Sequence, residues 1–492
     1  MGHRRQLRDL SPTTVIVHNT SPPVLPFPRL SWGPLPACAA GVLIGAMYTL
    51  SPTTAWSGLA IAAIIAWAAH GVTGRERVWV AGILFLAVGL RLLALVLFFF
   101  VADRFDSSFP TMIPDEWYIF RRSALLSNIA LGIPVAPIDY TEVTLPYAES
   151  SLMYAIAYGQ MQLGPAPYGI RLLNVTLYLA ACVTLYRTIR PAFGSTAALG
   201  GLVLALFMPS LFIWSISMLK EPLYLFLAAA SVAAATAVLR ASTMSGRLLA
   251  LIVCVSAILA TETVRTGGSI LIGGGILAGV LMAIWIRRPV LLLTTLMLCT
   301  VLGSLALQSP RVQERATGLL HAAVRIHMGH VGSPGWTYRL LEPELYAGAG
   351  EAQLGDPENF GLTSAPMARY ALRAVASFVL VPLPWKVESP FALAYLAEHV
   401  VWLVLVVLAT IGAIAGIRRD ASLALILLAV IALSAAAIAF TSGNVGTLVR
   451  HRGMVLMPLG WFGSLGACTL VDWLMTGGQV GEHHPAHGPV GV

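Results

Sequence analysis

Residues 78–101 read VWVAGILFLAVGLRLLALVLFFFV, an apolar run broken by one charge, Arg91. At about 1.5 Å per residue, such a run crosses a hydrocarbon core of about 30 Å as a single α-helix. A helix apolar on all sides is a membrane span or lies deep in a large core. Shortly after the run comes Pro114-Asp115-Glu116-Trp117-Tyr118. The two carboxylates therefore fall where the chain leaves the membrane, with interfacial aromatic side chains beside them.

The rest of the chain repeats the pattern. Of its 492 residues, 57% are hydrophobic and 11% charged, and the mean hydropathy is +0.80. That is too little charge to cover a soluble surface. About twelve apolar runs are long enough to span: 36–50, 53–70, 78–101, 168–187, 195–214, 222–239, 247–262, 267–286, 289–307, 391–416, 421–440 and 453–475. The expected fold is an all-α polytopic membrane protein with about twelve transmembrane helices and two long outer loops that carry interfacial helices.

The net charge of +8 comes largely from arginine pairs between the runs: Arg75/Arg77, Arg187/Arg190, Arg240/Arg247, Arg287/Arg288 and Arg418/Arg419. With the N-terminus in the cytoplasm, all five pairs obey the positive-inside rule. The basic residues thus read as topology signals, and no nucleic-acid partner is expected. Both termini are expected in the cytoplasm, with the loops 102–167 and 308–390 outside. Ala/Gly/Arg-rich usage points to a bacterial inner membrane. Cys38, Cys182, Cys254, Cys299 and Cys468 all lie in apolar runs with no paired spacing, so neither a disulfide framework nor a metal knuckle is indicated.

The expected division is a cytoplasmic tail at 1–35, a transmembrane hairpin at 36–77, a transmembrane module at 78–310, a long outer loop at 311–390, C-terminal helices at 391–476 and a tail at 477–492. The early arginines are not followed by the apolar core of a leader. In the first outer loop, Trp117, Tyr118, Phe120 and Ala124-Leu125-Leu126 recur at helical spacing, and a second such stretch runs from Ser150 to Leu163. Both predict helices lying on the membrane. The later loop starts polar, and His327 and His330 read as loop histidines. Residues 371–385, broken by Pro382 and Pro384, read as a re-entrant or interfacial helix.

Four constellations carry chemistry. Asp115 is placed to take a proton from an attacking hydroxyl, and Glu116 to assist; if a divalent ion such as magnesium or manganese binds, these two are its candidate ligands. Lys220, at the outer turn before Glu221 and Pro222, suits a lipid phosphate, whereas Glu221 also reads as a charge favoured at a helix N-terminus. Glu262 and Arg265, three apart, allow an intrahelical ion pair, and Arg265 is also a phosphate candidate. Arg450 and Arg452 stand on the outer side beside a Gly-rich turn, against the inward bias of the other arginines. No phosphate-binding P-loop, zinc spacing or nucleophile elbow is present.

Asp115-Glu116 with Tyr118, then Arg171-Leu-Leu-Asn174, Tyr186-Arg187, Arg190-Pro-Ala-Phe-Gly194, Pro209-Ser210 and Ser217-Met-Leu-Lys220-Glu221 together resemble the GT-C glycosyltransferases of the protein O-mannosyltransferase and aminoarabinose transferase type. The resemblance covers about 78–310. It implies transfer of a sugar, with inversion, from a polyprenyl-phosphate donor to a glycan, lipid or protein acceptor at the outer face. Asp115 is then the base with Glu116 assisting, Lys220, Arg265, Arg450 and Arg452 hold the donor phosphate, and Tyr118, Glu221 and Glu262 support them. Two other readings stay open. One is an O-antigen polymerase or ligase-like enzyme acting on a lipid pyrophosphate-linked glycan, which the long loop and Arg450/Arg452 fit. The other is a lipid flippase or transporter, for which the deep charge would be Arg91.

Overall fold

The computed structural model describes residue 41 and residues 51–103, 114–144, 150–164, 166–333, 335–347, 360–386 and 390–476. The tails at 1–35 and 477–492, and all of the span at 36–50 but Gly41, lie outside them. The described chain is helical almost throughout. Nine of its helices are long and apolar enough to cross a membrane, or eleven spans if each of two bent pairs counts as one.

Helices α1 (Pro52–Ala69) and α2 (Gly74–Asp103) open the described chain, and α3 (Pro114–Ala130), α4 (Pro137–Thr144) and α5 (Ser151–Leu163) fill the first long loop. The bundle continues with α6 (Pro167–Phe193), α7 (Ser195–Phe207), α8 (Pro209–Ile216), α9 (Glu221–Arg240), α10 (Met244–Val264) and α11 (Gly268–Arg287). After α12 (Pro289–Leu307) the chain turns into α13 (Pro310–Val331), then α14 (Glu344–Ala347) and α15 (Ala365–Leu380). It closes with α16 (Pro390–Arg419), α17 (Ala421–Thr441) and α18 (Val445–Thr476). Local chemistry sets many of these limits. Proline stands in the first turn of α1, α6, α8, α9, α12, α13 and α15, where its missing N–H costs nothing. Gly194, at φ 92°, both ends α6 and starts α7, a backbone state that only glycine adopts freely.

The middle of the bundle is α6 and α18, buried over 72% and 67% of their most apolar stretches, against 17% for the peripheral α10. Lipid offers little hydrophobic drive for helices to associate, so small residues bring backbones together. A β-carbon on Gly275 of α11 would lie 2.7 Å from Val430 Cα of α17. Gly412 of α16 and Gly466 of α18 face each other in the same way, each added β-carbon falling 2.9–3.0 Å from the other's nitrogen.

Two expectations change. The run at 195–214 is not one straight helix: α7 and α8 meet at 60° around Met208-Pro209. Proline has no N–H to give Ala205 O, and the bend also frees Leu206 O and Ser210 N–H. Neighbouring helices take all three. Tyr178 OH donates to Ala205 O, Arg91 Nη2 to Leu206 O at 2.9 Å, and Glu398 accepts from Ser210 N–H at 2.8 Å. Arg91 is fully buried, gives its Nε to Ser215 Oγ at 2.8 Å and packs on the rings of Tyr178 and Phe212. The deep charge thus holds a bend together.

The second change concerns His327 and His330. Both lie on α13, which follows α12 at 92°, and neither is a loop residue. Nδ1 of His327 donates to Ser442 O at 2.7 Å, leaving Nε2 to accept from Tyr346 OH at 2.7 Å. Tyr346 OH in turn accepts from the amides of Leu340 and Leu341. Beyond α13, Tyr338 N–H donates to Gly443 O and Val445 N–H to Trp336 O. The late loop is therefore fastened to the start of α18.

All five arginine pairs gather at one end of the bundle. Arg190 pairs with Glu76 at 2.6 Å, Arg187 donates to Trp67 O and His70 O, Arg419 to Phe193 O, and Arg240 pairs with Asp420 at 2.5 Å. Arg287 lines a cavity shared with Arg240 and Arg418.

Candidate functional site

At the opposite end, four separated segments meet. The turn before α9 is shaped by α6. Arg171 and Asn174 lie one turn apart on it, so they share a face. Asn174 Nδ2 donates to Ser217 O at 2.8 Å and Leu219 O at 2.9 Å. Arg171 and Glu116, 1% and 0% exposed, form a two-pronged ion pair of 2.8 and 3.0 Å. Glu116 also accepts from Met218 N–H at 2.9 Å, and Arg171 donates to Ile216 O at 3.3 Å and lies over the Phe98 ring. Carboxylate, guanidinium and amide thus fix residues 216–219, and with them Lys220 and Glu221.

Successive residues of a helix point about 100° apart. Asp115, next to Glu116 on α3, accordingly faces elsewhere: it is about half exposed and pairs with Arg450 of α18. Arg450 Nε lies 3.3 Å from Glu221 Oε1, so one guanidinium stands between two carboxylates. Each carboxylate sits in the first turn of its own helix, α3 or α9, where the helix dipole favours negative charge.

Arg265 follows α10 directly, and its Nη2 lies 2.8 Å from Nε2 of the buried His451. Arginine stays protonated, so it donates and the His451 Nε2 accepts, which leaves the ring proton on Nδ1. Lys220 lies within electrostatic reach of Arg265, Glu221, Arg450 and Asp115. Burial pushes its ammonium pKa below the usual range, and Arg265 adds to that shift. Burial also lowers Arg265. Three cations, Lys220, Arg265 and Arg450, here meet two carboxylates, Asp115 and Glu221, which leaves one positive charge in excess. Glu221 Oε2 and the hydroxyl of Tyr224, one turn further on, are buried without a hydrogen-bond partner among the described residues. Tyr224 lies within electrostatic reach of Arg265 and Glu262. Such a group has the positive charge, and in the Tyr224 hydroxyl a spare donor, to hold a phosphate.

The remaining sequence candidates lie differently. Glu116, placed by the sequence to assist Asp115, is instead turned to Arg171 and Met218 N–H, where it holds the site in shape. Asp115 and Glu116 turn to separate partners and do not form a shared carboxylate pair for a divalent ion. Among the described residues, no three His, Cys, Asp or Glu side chains gather as metal ligands do. Glu262 does not pair with Arg265; it accepts from Gly267 N–H at 2.9 Å, Ser269 N–H at 3.1 Å and Ser269 Oγ at 2.6 Å, which caps the start of α11. Arg452 points away from Arg450. It is 2% exposed, donates to Ser377 O and Phe378 O, and lies against the rings of Phe378 and Trp402. Tyr118 supports its own helix, with Arg122 one turn on stacked against its ring and bonded to its hydroxyl at 3.1 Å.

Sequence reasoning missed the roles of His451 and Tyr224 and gave Arg171 and Asn174 no chemistry of their own. The last two carried a signal: a charge and an amide at i, i+3 opening an apolar span need a buried partner. His451, set between two arginines, carried a weaker one. No protein-family model, curated protein or solved structure matches this chain.

Proposed function

We propose that this protein is a membrane glycosyltransferase that moves a sugar from a polyprenyl-phosphate donor to a hydroxyl of a glycan, lipid or protein acceptor, inverting the anomeric carbon. The observation that carries this reading is the meeting of Asp115, Lys220, Glu221, Arg265 and Arg450 at the ends of apolar helices. A lipid-borne phosphate enters at that depth, with its polyprenyl tail among the helices and its charge at their ends. In the reaction the acceptor oxygen attacks the anomeric carbon, Asp115 takes the hydroxyl proton, and the bond from that carbon to the phosphate oxygen breaks. Polyprenyl phosphate leaves with an added negative charge, which Lys220, Arg265 and Arg450 stabilise as it develops.

The position of Arg450 couples the two halves of the step. While it pairs with Asp115, that carboxylate is occupied; an arriving phosphate competes for the same guanidinium and frees the base. Transfer then awaits a donor. The gathering of the arginine pairs at the other end supports a site facing outward from a bacterial inner membrane.

A second reading is supported by the fastening of residues 336–338 to Gly443–Val445, just before Arg450. A long loop fastened to the segment that leads into Arg450 also suits a polymerase or ligase acting on a lipid pyrophosphate-linked glycan. One experiment separates the two. Purified protein is offered a panel of polyprenyl-phosphate sugars and pyrophosphate-linked glycans, with Asp115→Asn run beside it. Turnover of a monophosphate donor, lowered about 10²–10⁴-fold by the substitution while the fold is retained, supports the transferase. Turnover that survives Asp115→Asn removes Asp115 from the chemistry, and activity confined to pyrophosphate donors moves the assignment to the second reading.

A further inference from the structure

At the arginine-rich end, the last turns of α9 and α11 and the α16–α17 corner enclose a cavity of about 560 Å³. Its lining mixes two chemistries. Leu239, Val280, Ile284 and Ile417 supply apolar area, and Leu239 and Ile284 are 44% and 43% exposed. Arg240, Arg287, Arg418 and Arg419 line it as well. Arg240 is neutralised by Asp420 at 2.5 Å, and Arg419 donates to Phe193 O at 2.6 Å. The side chains of Arg287 and Arg418 make no hydrogen bond or ion pair with any described residue, yet both line the cavity. Two of the helices that line it are held together, because α11 and α17 touch backbone to backbone at Gly279, where an added β-carbon would lie 2.6 Å from Leu425 O.

We propose that this cavity binds the headgroup of an anionic glycerophospholipid. The phosphodiester sits between Arg287 and Arg418, and the acyl chains leave along Leu239 and Ile284 into the bilayer. The cavity lies at the level of the span ends, where headgroups lie, and two unneutralised guanidinium groups match a phosphate oxyanion. A soluble phosphoryl compound would satisfy the arginines equally but would leave the apolar lining at Leu239 and Ile284 uncovered.

Purified protein in neutral detergent micelles distinguishes these cases by its melting temperature, read with added phosphatidylglycerol, phosphatidylcholine or inorganic phosphate. Phosphatidylglycerol is expected to raise it saturably, with phosphatidylcholine and inorganic phosphate inactive at matched concentration. Replacing both arginines, Arg287→Gln with Arg418→Gln, should weaken the phosphatidylglycerol midpoint about tenfold or more. Arg75→Gln, at the same end but outside the cavity, should leave it unchanged. An equal response to phosphatidylcholine, or a wild-type response in the double variant, overturns the proposal. A response that inorganic phosphate alone reproduces overturns the lipid and leaves a soluble phosphoryl ligand. Should the double variant fail to fold, displacement of a fluorescent phosphatidylglycerol from the wild type by phosphatidylglycerol, and not by phosphatidylcholine, decides the question.

Discussion

Replacing Glu116 by Gln keeps the shape of the side chain and removes its charge, leaving the guanidinium of Arg171 buried without its counterion. Both members of the pair are shielded from solvent, so water cannot make good the loss. Breaking such a pair from one side costs about 3–5 kcal/mol. Replacing both partners, as in Glu116→Gln with Arg171→Met, removes the stranded charge. What remains is the weakened support of Met218 N–H and Ile216 O, at about 1–3 kcal/mol for an orphaned buried group. The double variant should therefore be more stable than Glu116→Gln alone, although it carries more changes. Unfolding in mixed micelles of increasing dodecyl sulfate content, followed by tryptophan fluorescence, measures the order of the three proteins. A double variant no more stable than the single one would refute the claim that charge burial dominates. A Glu116→Gln protein of wild-type stability with no turnover would refute the structural role itself and return Glu116 to the chemistry.

Other outcomes follow from single features. Lys220 holds phosphate best when protonated, and its pKa is lowered by burial and by Arg265; donor affinity should therefore fall as pH rises through that lowered pKa, and Lys220→Arg should extend the affinity to higher pH because arginine keeps its proton. Titration of a non-transferable donor analogue across pH reads this directly, and an identical profile in both proteins would exclude Lys220. Gly275→Ala forces α11 and α17 apart and should cost about 1–3 kcal/mol, seen as a lower melting temperature with no change in donor affinity. Tyr346→Phe removes the hydroxyl that serves His327, Leu340 and Leu341. It should cost about 1–3 kcal/mol and expose residues 336–345 to protease; resistance equal to wild type would show that the loop is held elsewhere.

The apolar runs and arginine pairs made the helices and the two ends of the bundle readable, because membrane burial imposes composition residue by residue. Asp115, Lys220, Arg265 and Arg450 were also legible as charges at the outer ends of the spans. Partner choice was not. Glu116 and Asp115 are adjacent in the chain, yet helical rotation sends one to Arg171 and the other to Arg450. The same rotation separates Arg450 from Arg452. Glu262 seemed placed for Arg265 by spacing, but the unpaired amides at the start of α11 compete for it and prevail. The fastening of the late loop on Gly443–Val445 depends on backbone groups, which leave no mark in composition.

Arg91 carries a consequence for how the protein is made. It belongs to α2 and donates to Ala87 O of that helix, but its other partners are Leu206 O and Ser215 Oγ, 115 and 124 residues further along the chain. The ribosome delivers α2 to the membrane well before those residues exist. In that interval a charge at mid-bilayer carries a penalty of about 2.5–3.5 kcal/mol, which the apolar remainder of α2 must outweigh until α7 and α8 emerge. The bend itself is incomplete even then, because Glu398, which takes Ser210 N–H, is synthesised 188 residues after Ser210. Early and late segments thus come together around one proline kink, and a nascent chain released before α16 would leave the Ser210 amide without the carboxylate that completes the bend.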